Sequence, residues 1–183
     1  MSQVVRTPVH VDELRQRRNL EERLIARFPG AYRRLALAIM RLSPRSRLRR
    51  MMLRRTTVSG WAAFSRGDLD LMLVRYAPDY EFEPASELVA VGMLPAYRGH
   101  SGLRSVVRDG SVAWEQMVAT PSEIVDADEQ LVVLGTYRTR GGLSGIDFET
   151  PYAATYQVED GLIVRERTFA SWEAGLRAAG IED

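Results

Sequence analysis

Apolar positions along this chain change their period, and the change separates its helices from its strands. Leu14, Leu20 and Leu24 are followed by a cleaner stripe, Phe28, Tyr32, Leu35, Ile39 and Leu42, with spacings of three and four. That is one face of an α-helix, so helices are predicted over 10–55, punctuated by Pro29-Gly30 and Ser43-Pro44. Val58, Trp61 and Phe64 keep helical spacing up to a stop at Gly67, and Asp68 caps a second short helix that ends before Pro78. "DYEFE" (79–83) then alternates as a strand, with Tyr80 and Phe82 on one face. An apolar connection, 84–100, leads to a helix capped by Ser101 that runs to about Met117, with Leu103, Val106, Val107 and Trp114 inward. Three β segments follow, "VATPSEIVDA", "QLVVLGTYRTR" and "IDFETPYAATYQV". A fourth, "LIVRERTFASW", is joined by an Asp160-Gly161 hairpin turn, and an Ala-rich helix at 172–180 closes at Gly180. Helices, a strand, a helix and then antiparallel strands predict an α+β fold with helices on one face of a curved sheet.

Charge adds a boundary that periodicity does not show. The formal net charge is only +1, yet residues 1–55 carry 15 Arg against four acids and residues 56–183 carry ten Arg against 20 acids. Lysine is absent, as GC-rich coding tends to produce, but a bias shared by both halves cannot create a difference between them. The chain therefore divides into a basic amphipathic helical N-terminal extension, 1–55, and an α+β domain, 56–183. The extension has three readings. Its apolar stripe docks on the acidic domain or on a second subunit, or it lies on an anionic membrane surface. Nucleic acid is the least expected, because Phe28 and Tyr32 belong to the stripe that would be buried.

Other chemistry is excluded more simply. Without cysteine there is no disulfide, thiolate nucleophile or Cys-ligated metal, which fits a cytoplasmic location. The first 18 residues lack the apolar core of a signal peptide, and "LALAIM" (35–40) is too short to span a bilayer. His10 and His100 are too far apart in sequence to suggest a metal site. Gly141-Gly142 and Gly145 read as turn residues, not as a phosphate loop.

Four segments resemble the nuclear transport factor 2-like superfamily, in particular its SnoaL-like, polyketide cyclase-like branch. They are "SRGDLDLMLVRYAPDYEFEP" (65–84), "YRGHSGLRSVV" (97–107), the strand pair at 130–158 and "EDGLIVRERTFASWEAGLRAAG" (159–180). The resemblance implies a curved antiparallel sheet forming a cone around two to three helices, a cystatin-like α+β barrel. It also implies a mostly apolar pocket for a small molecule, and proton-transfer chemistry of the cyclase, isomerase or dehydratase type without metal or organic cofactor. Homodimers through the outer sheet face are implied as well, and Leu131, Val133 and Tyr137 are candidates for that face. The superfamily contains proteins that only bind, so a non-catalytic ligand-binding or dimerisation module stands beside the enzyme.

Proton transfer in an apolar site needs a carboxyl group whose pKa burial has raised. Glu83 precedes Pro84, where the ketosteroid isomerases of the superfamily carry their base in a similar segment. Their tyrosine donor position is Gly60 here and their partnering acid falls at Ala153, so steroid isomerisation is not expected. Glu166 is the second candidate. A two-residue turn at Asp160-Gly161 sets Glu159 opposite Leu162, Thr155 opposite Glu166 and Ala153 opposite Thr168. Turning Leu162, Val164, Glu166 and Thr168 inward then buries one carboxyl, which protonation neutralises, whereas the other face would bury Arg165 and Arg167. A longer turn would undo this register. His100 is either a proton shuttle or a structural residue at a helix start. Glu83 and Glu166 are thus the catalytic candidates, with Trp61, Phe64, Tyr97, His100, Thr155 and Thr168 as ligand-binding candidates.

Overall fold

In the computed structural model, residues 4–11, 17–90, 92–114, 117–128, 130–140 and 147–181 are described. The chain opens with β1 (Val5–Pro8), α1 (Leu20–Arg27), α2 (Pro29–Met40), α3 (Arg47–Ser65) and α4 (Leu69–Leu73). It continues with β2 (Tyr76–Glu83), α5 (Ser86–Ala90), β3 (Tyr97–Arg98) and α6 (Gly99–Trp114). The strands β4 (Met117–Ala127), β5 (Gln130–Arg140), β6 (Asp147–Glu159) and β7 (Leu162–Phe169) then lead to α7 (Trp172–Ala178). One sheet holds all seven strands in the order β1-β4-β5-β6-β7-β2-β3. This is the α+β arrangement of a curved sheet and packed helices. Its pairings are antiparallel except β2 with β7, which run parallel. The glycine turn at 141–145 and the side chain of Trp114 lie outside the described residues.

Local signals set most helix starts. Asn19 and Glu22 form a capping box on α1, Pro29 occupies the first turn of α2, and Ser46 and Asp68 cap α3 and α4. Helix α3 runs unbroken through residue 55, where the charge balance changes. Helix α4 stops at Leu73 instead of reaching Pro78, because the parallel pairing with β7 begins there: Ile163 N donates to Arg75 O at 2.9 Å. Sheet pairing overrides the local helical pattern, and Arg75 and Tyr76 leave the helix.

The β6–β7 hairpin departs from the expected register. Glu159 does face Leu162 and Val158 faces Ile163, but Gln157 then faces Arg165 and Tyr156 faces Glu166. Val164 is the extra residue of a bulge, so the expected Thr155–Glu166 and Ala153–Thr168 pairs are each displaced by one position. Beyond the bulge the inward phase is kept by Glu166 and Thr168, while Ile163 replaces Val164 as the apolar neighbour on the cavity side.

Both faces of β5 are apolar and both are covered. Val132 and Leu134 pack with Leu176 of α7 and Ile181, whereas Leu131, Val133 and Tyr137 face the interior of the cone. The last three therefore do not form the outer dimer face expected from sequence. A continuous run such as "LVVL" does not say which side is core.

The extension is tied to the sheet at several points. β1 adds an edge strand to β4, pairing Val5 with Asp126 through Pro8 with Glu123. Arg49 is fully buried; its guanidinium donates to both oxygens of Asp126 at 2.8 Å and to the carbonyls of Met40 and Leu42 at 2.6 Å. One side chain thereby joins the end of α2, the start of α3 and the β4–β5 turn. Glu22 of α1, also fully buried, accepts from Ser59 at 2.9 Å and from Arg66 at 3.1 Å.

Candidate functional site

A cavity of about 880 Å³ lies inside the cone, bounded by the sheet and by residues of α2, α3 and α6. Tyr32 and Ile39 come from α2, Trp61 and Phe64 from α3, and Leu103 and Val106 from α6, so the wall is mainly apolar. Trp61 meets Phe64 edge-on at 5.8 Å and Tyr152 at 5.4 Å, and Tyr152 stacks on Tyr137 at 4.4 Å. Such aromatic contacts fix the rings in place.

Glu166 is the carboxyl group of this wall. The surface it retains borders the cavity. Tyr76 donates to its Oε2 at 3.1 Å and Tyr80 donates to the same oxygen at 3.3 Å. Tyr156, its partner across the ladder, brings a third phenol beside the same carboxyl. Burial disfavours the charged carboxylate and the three phenols favour it; burial prevails, and the pKa rises from 4.5 to about 7. The same burial, followed by the nearby Glu166 charge, pushes Tyr76, Tyr80 and Tyr156 well above the ordinary phenol value. The phenols therefore remain protonated donors while the carboxyl titrates near neutrality.

Arg75 reaches the same cavity from the turn before β2. It is 5% exposed; Nη1 donates to Thr56 O and Nη2 to Ser59 Oγ, each at 2.8 Å. Its guanidinium carbon lies 5.6 Å from the centre of the Tyr32 ring.

Of the residues singled out from sequence, Glu166, Trp61, Phe64 and Thr168 border the cavity. The Thr168 hydroxyl accepts from Ala85 N at 2.9 Å. Glu83 does not join them: it pairs with Arg167 at 2.8 Å on the opposite, partly exposed face of β2 and β7. Alternation along β7 explains this, since Arg165 and Arg167 point away from Glu166 and draw Glu81 and Glu83 after them. Thr155 sits opposite Arg167 because of the bulge, and its hydroxyl donates to Arg167 O at 3.5 Å. Tyr97 is buried against Phe82, donates to Asp109 at 3.1 Å and accepts from Leu94 N at 2.8 Å. His100 Nε2 donates to Tyr76 O at 3.1 Å, so it braces the strand that carries Tyr76. Sequence reasoning missed Tyr76 and Arg75. One signal was present: positions 76, 80 and 82 are all aromatic with even spacing, which extends the strand back to residue 76.

Comparison with known proteins agrees with this architecture. The family model of the SnoaL-like domain matches residues 60–166. The structure is similar to that of TerC co-crystallised with polyporic acid, at 20% identity and a TM-score of 0.55, covering 66% of this chain and 92% of TerC. A nuclear transport factor 2-like protein of unknown function from Burkholderia pseudomallei is 24% identical with a TM-score of 0.55, over 67% and 93% of the two chains. IdmH from Streptomyces antibioticus, a candidate polyketide cyclase, is 21% identical with a TM-score of 0.53, over 69% and 97%. No curated protein matches the sequence. At these identities the likeness to the solved structures shows the fold.

Proposed function

Because this chain belongs to the SnoaL-like domain family, whose fold encloses the cavity described above, we propose that it binds a small, mostly apolar cyclic molecule there and moves a proton on it through Glu166. The observation that carries this reading is the one carboxyl group among the described residues at the wall of an apolar cavity, bonded by two phenols and pushed by burial to a pKa of about 7. Near neutral pH both of its states are populated. The carboxylate takes a proton from a carbon beside a carbonyl, and the resulting acid returns it to a second position. A positioned group of this kind supplies about 10²–10⁴ of rate. Apolar walls exclude water, so the proton stays between Glu166 and the ligand. Tyr156, held protonated on the same cavity wall, is the donor assigned to the oxygen that becomes negative as the proton leaves.

The test is exchange of carbon-bound hydrogen in D₂O, followed by NMR on 2-tetralone and anthrone, with tryptophan fluorescence reporting binding. Exchange should be accelerated by the protein and fall about 10²-fold or more in Glu166→Gln, while binding persists. Equal exchange in the two proteins overturns the catalytic part. Loss of binding for every cyclic ketone overturns the ligand-binding part.

A second reading concerns the extension alone. Leu20, Leu24 and Phe28 are exposed at 75%, 51% and 55%, and the exposed Arg23 and Arg27 lie beside them. No helix among the described residues is long and apolar enough to cross a membrane, so this patch fits the surface of an anionic bilayer. Flotation of the full chain with phosphatidylglycerol vesicles, reduced in Leu24→Ser with Phe28→Ser, supports it. Equal recovery with neutral phosphatidylcholine vesicles rejects it.

A further inference from the structure

Arg75 presents a charge that has no counter-ion among the described residues. A guanidinium cannot shed its proton, so burial leaves it charged. Among the described residues no carboxylate pairs with it; its bonded acceptors are a carbonyl and a hydroxyl, and Nε has none. The surrounding network makes the surplus explicit. Glu22 and Asp68 are its buried carboxylates, and Arg66 bonds to both of them. Arg18 binds Asp68 as well and reaches the solvated Asp70 at 3.8 Å. Arg75 touches this network only through the Ser59 hydroxyl, which is already donated to Glu22. It is therefore the third guanidinium beside two buried carboxylates, and it is the one that borders the cavity.

Two neighbours flank that side chain. A Cβ at Gly60 would lie in ordinary contact with Arg75 Nη1, at 3.5 Å, and Tyr32 covers one face of the guanidinium. Arg75 also adjoins Tyr76 in sequence, and Tyr76 donates to Glu166, so the cation and the titrating carboxyl both border one cavity.

We propose that the ligand is an anion, an apolar cyclic molecule whose carboxylate or ionised hydroxyl sits on Arg75. This rests on the cavity being the binding site, and it adds the substrate class. A charge-assisted bond in a water-poor site is stronger than a neutral one, and Arg presents donors suited to a planar carboxylate. Neutral ligands of the same shape would then still bind, but about tenfold more weakly, because they leave the cation unpaired.

The probes are 2-naphthoate and its neutral counterpart 2-naphthamide, with affinities measured by calorimetry at about pH 6. Naphthoate is expected to bind about tenfold more tightly to the native protein, or about 1.4 kcal/mol. That preference should collapse to within about threefold in Arg75→Gln, return in part in Arg75→Lys, and survive in Glu166→Gln. The ¹⁵N–¹H signal of Arg75 Nε should move with naphthoate and not with naphthamide, a readout that needs no variant if Arg75→Gln does not fold. Equal affinities in the native protein, or a preference that survives in folded Arg75→Gln, overturn the inference and leave the cavity reading intact. Failure of both probes to bind overturns both.

Discussion

Tyr156 and Glu166 stand opposite each other in the β6–β7 ladder, and they do so only because Val164 adds a residue to β7. Tyr76 and Tyr80 on the neighbouring strand donate to Glu166, and the pairing sets the Tyr156 phenol beside the same carboxyl. Each donor favours the ionised carboxyl, so each removal raises its pKa. Tyr76→Phe and Tyr80→Phe should raise the Glu166 pKa by about one unit apiece, the usual worth of a hydrogen bond to a charged group. Carboxyl ¹³C titration would measure it. Tyr152→Phe is the control, because its buried hydroxyl has no hydrogen-bond partner and should shift the titration least.

The raised pKa also makes stability depend on pH in a fixed direction. Glu166 binds its proton more tightly folded, at about 7, than unfolded, at about 4.5. Its favourable contribution is complete below about pH 4.5, falls as pH rises through 7 and is then level. The loss is about 3 kcal/mol. Urea unfolding at pH 5 and pH 8 should show this decline in the native protein, and Glu166→Gln should remove most of it. An identical decline in the variant would count against a buried, titrating Glu166.

Arg49 and Asp126 are nearly inaccessible to solvent, at 0% and 1% side-chain exposure. Removing one member strands the other charge in the interior. Arg49→Met should destabilise the protein by about 3–5 kcal/mol, seen as a lower urea midpoint, and the double variant with Asp126→Leu should recover part of the loss.

Glu83 and Arg167 provide the contrast, since their side chains are 40% and 44% exposed. Solvent screens such a pair. Glu83→Gln should change stability by no more than about 0.5 kcal/mol and leave hydrogen exchange on cyclic ketones unaltered. A large loss of exchange would return Glu83 to the candidate site.

Gly161 holds the hairpin turn at φ +77° directly beneath α2. A Cβ there would lie 2.7 Å from Arg33 O and 2.8 Å from Leu37 N, both backbone atoms. Gly161→Ala should cost about 2 kcal/mol in backbone strain and displacement of the helix. Thermal unfolding would record the loss, and trypsin should cleave at Arg33 and Arg34 sooner than in the native protein.

The sequence carries most of this architecture in its periodicities. Helical spacing at Phe28, Tyr32, Leu35 and Ile39 marks α2, and the Asp160-Gly161 turn marks the last hairpin. The burial argument that turned Arg165 and Arg167 outward also turned Glu166 inward, and the site grew from that comparison. Long-range effects were not legible. Val164 forms a bulge for no visible local reason, so Thr155 was paired with Glu166 where Tyr156 stands. Arg75 and Tyr76 looked helical because their strand is defined by pairing with β7, about 90 positions later. Nor does the local pattern distinguish the two apolar faces of β5, which are resolved only when α7 and the cavity claim one each.

Helix α2 contributes Tyr32, Ala36 and Ile39 to the cavity, while Glu166 and its phenols come from the sheet. In the function proposed here, shape selection and proton chemistry thus fall in different stretches of the chain. Substitutions in one helix could retune which molecules enter without disturbing the ladder that holds the carboxyl. For an engineer, positions 32, 36 and 39 form a compact library whose members keep the acid–base group in place.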